Sequence, residues 1–261
     1  MNILIDYLSY LARARHRKGH GIHSPFVFDF VINVLRGNDT CDYAAITARR
    51  KELLSDRRRI CRGNHGAGSK TGTTREREIR DIVKSSAVKP KYGRLLARTA
   101  SWYKPGSVIE LGTGAGMSSA YLSTGFPGCA LFSIEGAKDI HDIARETVKV
   151  LSLRNVQLIH GSFAERLPPL LGEQVKRQNL LVFIDGDHNG EKVMAYCSLL
   201  FERLFEDLII ILDDINWSRS MKVAWNKLIR LEDITVSIDL FRFGILFVKK
   251  GVSKQHYVIR F

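Results

Sequence analysis

The chain reads as an α/β protein: seven strands in a mostly parallel sheet, the last hairpin antiparallel, behind a helical N-terminal cap. Three observations predict this. The stretch Val108-Ile-Glu-Leu-Gly-Thr-Gly-Ala-Gly-Met-Ser118 runs two apolar residues into a carboxylate, and glycine then recurs at Gly112, Gly114 and Gly116. That is the pattern of a buried strand ending in a glycine turn that opens a helix. From residue 107 onward, short apolar runs alternate with helical spacing, as in a parallel sheet. Each of five successive strands also ends in polar residues, and ligands of open parallel sheets bind beyond those ends.

Taken in order, Ile3, Leu4, Tyr7, Leu8 and Leu11 recur at helical spacing. Arg13–His23 is basic and contains glycine, which suits a loop. Ser24-Pro25 reads as an N-cap with proline at the first helical position, leading into Phe26–Leu35. Residues 44–60 fit a further charged helix. Residues 61–74 hold four glycines and almost nothing apolar, so a mobile loop over an active site is expected there. Gly68-Ser-Lys70 is not a phosphate loop, because the order is wrong and no strand precedes it. Helical pattern resumes over 75–104. Strands are expected near 107–112, 130–135, 156–160, 180–185 and 207–213, then 234–239 and 243–249. Only Leu240-Phe-Arg242 separates the last two, which suits an antiparallel hairpin. The tail Gln255–Phe261 adds an edge strand or packs on the cap.

Composition sets the bounds. The 261 residues are 45% hydrophobic, ordinary for a globular chain. No apolar run approaches the roughly 20 residues of a membrane span. Asp6 precedes the positive charges Arg13, Arg15, Arg17 and Lys18, the wrong order for a secretory signal. Cys41, Cys61, Cys129 and Cys197 are scattered, so reduced thiols in a cytoplasmic protein are expected. The net charge of +13 lies entirely before the glycine motif: residues 1–105 hold 22 Lys and Arg against 9 Asp and Glu, and residues 106–261 hold 18 of each. A basic block beside a neutral domain suits an anionic small molecule, a nucleic acid or a membrane surface, or it is a solvated face.

The strand ends carry the chemistry. The first ends in Glu110 and the glycines. The second ends in Glu135 and Gly136, and an acid there suits ribose hydroxyls. The third ends His160-Gly161-Ser162-Phe163, which could grip an adenine. The fourth runs into Asp185-Gly-Asp-His188, and the fifth into Asp213-Asp214-Ile-Asn-Trp217. A single strand-end acid is often a helix cap; five in succession are harder to assign that way. A dinucleotide fingerprint, G-x-G-x-x-G, does not fit, because Met117 stands where its third glycine belongs.

An acid two residues before G-x-G-x-G resembles the first motif of the class I S-adenosylmethionine-dependent methyltransferases, with their Rossmann-like sheet. Residues 85–249, with Ile184-Asp-Gly-Asp-His188, are similar to the catechol O-methyltransferase-like branch and its bacterial small-molecule O-methyltransferases. The resemblance implies cofactor contacts at Glu110, Gly112, Gly114, Gly116, Met117 and Ser118, a ribose acid at Glu135 beside Gly136, and adenine-side residues at Ser162 and Phe163. It places Asp185 against the cofactor as well, and Lys89, more loosely, near the cofactor carboxylate. In metal-dependent members the positions of Asp185, Asp213 and Asp214 hold Mg²⁺ or another divalent cation. Three converging carboxylates suit such an ion, though this Asp-Asp pair departs from the commoner Asp-Asn. The other assignment leaves Asp185 on the cofactor, Asp213 capping a turn and Asp214 in solvent.

Methyl transfer to oxygen needs an acceptor that loses its proton. A cation lowers the acceptor's pKa, and a base takes the proton. His188, three residues after Asp185, suits that base, or else it caps the next helix. His20 and His23 beside the basic run are candidates for substrate contact, and a structural pair is the plainer reading. Trp217, Met221 and Trp225 fall where the family builds its acceptor pocket, although Met221 and Trp225 at i, i+4 suit a packed helix face. The expected function is O-methylation of a small hydroxylated molecule, and the charge suits an anionic one. The alternatives are a methyltransferase acting on nucleic acid or another polyanion through the cap, a cofactor-binding scaffold without activity, and a nicotinamide dehydrogenase.

Overall fold

The computed structural model describes residues 3–15, 21–61, 76–175, 179–203, 205 and 207–261. His20 and most of the glycine-rich stretch 61–74 lie outside them. In chain order the helices and strands are α1 (Ile3–Arg13), α2 (Pro25–Phe30, continued by a π-helical turn, Val31–Leu35), α3 (Ala44–Leu53), β1 (Arg59–Cys61), β2 (Glu76–Glu78), α4 (Ile79–Ser86) and α5 (Pro90–Tyr103). Then come β3 (Ser107–Leu111), α6 (Met117–Gly125), β4 (Ala130–Glu135), α7 (Lys138–Val150), β5 (Val156–His160) and α8 (Phe163–Glu173). The chain ends with β6 (Leu180–Ile184), α9 (Gly190–Phe201), β7 (Asp207–Leu212), α10 (Arg219–Leu228), β8 (Val236–Asp239), β9 (Gly244–Lys249) and β10 (Gln255–Val258). Two compact units divide it: Met1–Asn38 with Lys176–Phe261, and Asp39–Val175.

In the unit Asp39–Val175, β3, β4 and β5 form a parallel ladder, Ser107 opposite Ala130 and Glu135 opposite His160. Every residue of β3 is buried, as a strand covered on both faces requires. Two expectations need correcting here. Residues 44–60 do not form one helix. The helix ends at Leu53 because the next positions at helical spacing, Asp56 and Arg57, offer nothing to bury. Asp56 instead turns the chain, its Oδ1 accepting the Arg58 amide at 2.9 Å, and the chain then extends into β1. The stretch 75–104 is likewise not helical throughout. β2 pairs antiparallel with β1, and Pro90 holds Lys89 extended, which separates α4 from α5.

In the unit Met1–Asn38 with Lys176–Phe261, β6 and β7 are parallel, β9 is antiparallel to both β7 and β8, and β10 is parallel to β8. The tail therefore supplies an edge strand, and the two ladders hold eight strands among the described residues, one more than the seven expected. His256 Nδ1 and Ser237 Oγ, 2.8 Å apart, help to fix that edge. Ser24 caps α2 as expected, its Oγ accepting the Val27 amide. On α10, Met221 and Trp225 are buried, so they form a packed face, while Trp217 is 62% exposed. His23 is exposed.

Candidate active site

In the unit Asp39–Val175 the sequence-predicted residues gather at the ends of β3 and β4. Gly112, Gly114 and Gly116 have φ of 103°, 55° and 80°, a region that L side chains rarely adopt. The Gly112 amide donates to the Ile134 carbonyl at 3.0 Å, and the Gly114 amide donates to Glu135 Oε2 at 2.9 Å. Glu135 Oε1 accepts the Ala137 amide at 2.9 Å. Both carboxylate oxygens are thus aimed by backbone, at the place where the sequence expects a ribose acid, with Gly136 between the two turns. A Cβ at Gly114 would meet nothing within 4 Å, so open space lies over this residue.

Glu110 lies beneath that turn and has no exposed surface. Its Oε2 accepts from Ser119 and from Ser133, the latter at 2.5 Å. Burial pushes its pKa up to about 7, against the pull of Ser118, Ser119 and Ser133. Glu110 therefore supports the turn. Met117 and Ser118 are also buried, in the first turn of α6. Ser162 caps α8, accepting the Glu165 amide at 3.3 Å, and Phe163 opens that helix. Lys89 is exposed at the start of α5 and makes no hydrogen bond or ion pair to the glycine turn among the described residues.

In the other unit the ends of β6 and β7 bring Asp185, Asp213 and Asp214 together. Asp213 is 1% exposed. Its Oδ1 accepts the Asp214 amide at 2.7 Å and Arg242 Nε at 2.8 Å, and its Oδ2 accepts Arg242 Nη2 at 2.7 Å. Arg242 Nε also lies 3.5 Å from Asp214 Oδ1. Burial raises the Asp185 pKa well above the usual carboxylate range, and Asp213, hydrogen-bonded to it, raises it further. His188 Nε2 stands 3.8 Å from Asp185 Oδ1. His188 does not cap α9. Asn189 does, its Oδ1 accepting the amides of Glu191 and Lys192. Asp187 is tied to Lys192 and to the Tyr196 hydroxyl at 2.9 and 2.7 Å. Asp187, His188, Asp214 and Phe241 all have positive φ, and strained backbone of this kind clusters at functional sites.

Two residues of this constellation were not singled out from sequence. Asp187 was visible inside the Asp-Gly-Asp-His run. Arg242 carried no signal beyond its place in the turn before β9. It decides whether a metal fits. A hard cation needs carboxylate oxygens open to it, and here the guanidinium takes both oxygens of Asp213 and approaches Asp214. The present donor set does not fit a divalent ion while Arg242 holds that position. Among the described residues no group of three or more His, Cys, Asp or Glu is arranged to hold a metal.

Residues 109–215 match the model of a family described as a methyltransferase domain. That span includes every cofactor, metal and catalytic residue predicted from sequence except Lys89, and it excludes Arg242. Protein-L-isoaspartate O-methyltransferase 1 of Marinobacter nauticus is 41% identical over 59 residues, 23% of this chain. The match spans only 26% of that relative's length. Among solved structures, an O-methyltransferase from Bacillus cereus in complex with S-adenosylhomocysteine is 20% identical, covering 64% of this chain and 84% of its own, with a TM-score of 0.54. An S-adenosylhomocysteine-bound methyltransferase from Podospora anserina is 16% identical, covering 87% of this chain and 97% of its own, with a TM-score of 0.61. The chain thus shares the Rossmann-like α/β fold of solved methyltransferases, and the match to a methyltransferase domain lies within residues 109–215.

Proposed function

We propose that this chain transfers a methyl group from S-adenosylmethionine to the hydroxyl of a small molecule. The observation that carries this reading is the Gly114 amide on Glu135 with open space over Gly114: a carboxylate aimed by backbone beside a turn with glycine at every second position. Glu135 would hold the ribose hydroxyls, with Ser162 and Phe163 on the adenine side. Met117 and Ser118 have buried side chains and would contribute first-turn amides of α6, which suit a carboxylate. Lys89 would approach that same carboxylate. When bound, the cofactor supplies an electrophilic methyl group. His188 would take the acceptor's proton, and Asp185 beside it would orient the ring. The donor set gives no step to Mg²⁺.

The polyanion reading has less support. Arg49, Arg58, Arg59, Arg80, Arg94 and Arg98 of the basic segment each lie within ion-pair distance of a carboxylate of their own unit. The test is calorimetric titration with S-adenosylhomocysteine, followed by methylation assays on a panel of hydroxylated acceptors. Binding should weaken by about tenfold to a hundredfold in Glu135→Ala, the loss expected when hydrogen bonds to a charged group are removed. No binding by the wild type sinks the reading. Binding with turnover unchanged in His188→Ala would remove the histidine from it.

A further inference from the structure

We propose that Arg242 is the resident cation of the acid cluster: it takes the place a divalent ion would need, and its removal uncovers a site that binds one. The two nitrogens on Asp213, at 2.7 and 2.8 Å, form the bidentate fork that suits guanidinium and carboxylate. The Asp213 carboxylate has no exposed surface, so its charge needs a fixed partner. Asp214, 3.5 Å from Arg242 Nε, supplies a second negative charge. The extra acid and the arginine thus face each other. A metal seated between Asp213 and Asp214 would lie against a guanidinium that cannot give up its charge.

The turn that presents Arg242 is built for the purpose. Phe241 has φ of 70° and donates its amide to Asp239 Oδ1 at 2.7 Å. Its carbonyl accepts from Asn216 Nδ2 at 2.6 Å, and the Arg242 carbonyl accepts the Ile215 amide at 3.1 Å. The rings of Tyr7 and Tyr10 of α1 pack on Phe241 with centroids 4.9 and 5.2 Å away. The loop after β7 and the turn before β9 are therefore locked together, with the guanidinium of the turn held on Asp213 and beside Asp214 of the loop. Arg242 lies outside the span that matches the methyltransferase family, so the counter-ion comes from a part of the chain that the match leaves free. It follows that the methyl transfer needs no divalent metal; this consequence alone rests on the proposed function.

The test is Mn²⁺ binding to the full chain without cofactor or acceptor, followed by the Mn²⁺ resonance and by thermal melting. Wild type should bind no Mn²⁺ at the acid cluster and melt at the same temperature with or without it. Arg242→Ala, and Arg242→Gln as the variant closer in shape, should bind Mn²⁺ at least about tenfold more tightly and melt higher in its presence. Wild-type binding that disappears in Asp214→Asn overturns the proposal, as does a folded variant that gains none. If neither variant folds, the wild-type titration decides in the same way. Failure to bind S-adenosylhomocysteine would sink the methyl-transfer reading and leave this result untouched.

Discussion

In the unit Asp39–Val175, backbone amides hold the strand-end turn; in the other unit, side-chain charges hold it. Glycines take the positive φ values after β3, and Glu135 accepts one amide at each oxygen. After β6 and β7 the positive φ values fall on Asp187, His188 and Asp214, and the fixing bonds are the Arg242 fork and the Asp187 pairs. Each non-glycine residue in that region costs about 1–2 kcal/mol, less for Asp. The first end is therefore conformationally cheap. The second is strained and depends on its charges remaining paired.

The largest effect expected from that contrast is at Arg242. Arg242→Ala leaves Asp213 buried without its partner and should lower stability by about 3–5 kcal/mol, measured by urea denaturation. Replacing both Asp213 and Arg242 with leucine should recover most of that loss, because a buried pair contributes little net stability over an apolar one. If the single variant lies within about 0.5 kcal/mol of wild type, as surface changes do, the ion pair does not hold this end.

pH separates the two ends next. Glu110 sits below the glycine turn with its pKa raised from 4.5 to about 7 by burial. Below about pH 4.5 the residue is protonated in both the folded and the unfolded chain, and its contribution is fully present. Between 4.5 and 7 the unfolded chain ionises first, so stability falls as pH rises through the folded pKa. The advantage of wild type over Glu110→Gln, which stays neutral, should therefore shrink by about 3 kcal/mol between pH 4.5 and pH 8. A constant difference across that range would mean that Glu110 is already ionised in the folded protein.

The contrast also explains what was legible in the sequence. The turn after β3 could be read residue by residue, because positive φ selects glycine and the glycines stand in sequence beside their strand. The strand alternation located β3 to β9, whereas the short pair β1 and β2 fell in stretches read as helix, and the tail strand was open only because four residues of mixed pattern, Gln255–Val258, fit an edge or a cap equally. Asp185, Asp213 and Asp214 were legible as a cluster, since parallel strands end on one side. Their counter-ion was not. Arg242 follows Asp213 by 29 residues, and no local pattern announces that a turn before β9 points its side chain into the acids. The helix over 44–60 failed for a related reason: charge pattern suggested its length, but burial, which stops at Leu53, set it.

Within the glycine turn, two substitutions sharpen the comparison. Gly116→Ala should cost about 1–2 kcal/mol for its φ of 80°, and its Cβ would press on Thr147 at 3.3 Å. Gly114→Ala carries a similar backbone cost, but its Cβ enters open space. Gly116→Ala should therefore be the less stable of the two in thermal melting, while Gly114→Ala should lose more affinity for S-adenosylhomocysteine. Equal losses of affinity would show that the open space over Gly114 is not where the ligand lies.

The smallest expected effect tests how His188 is held. Its φ of 32° is unusual for any side chain, and its backbone amide donates to the Gly186 carbonyl at 2.7 Å. The residue after it, Asn189, takes two first-turn amides of α9 that would otherwise lack partners. Asn189→Ala should therefore cost about 1 kcal/mol of stability. The loop carrying His188 is held besides by the Gly190 amide, which donates to Ser220 Oγ at 3.3 Å, and by the Asp187 pairs. If that loop is positioned by the helix start, Asn189→Ala should lower the turnover of an acceptor more than it weakens binding of S-adenosylhomocysteine. If Asp187, through Lys192 and Tyr196, positions it instead, stability should fall by the same amount with turnover unchanged, and Asp187→Ala should carry the kinetic effect.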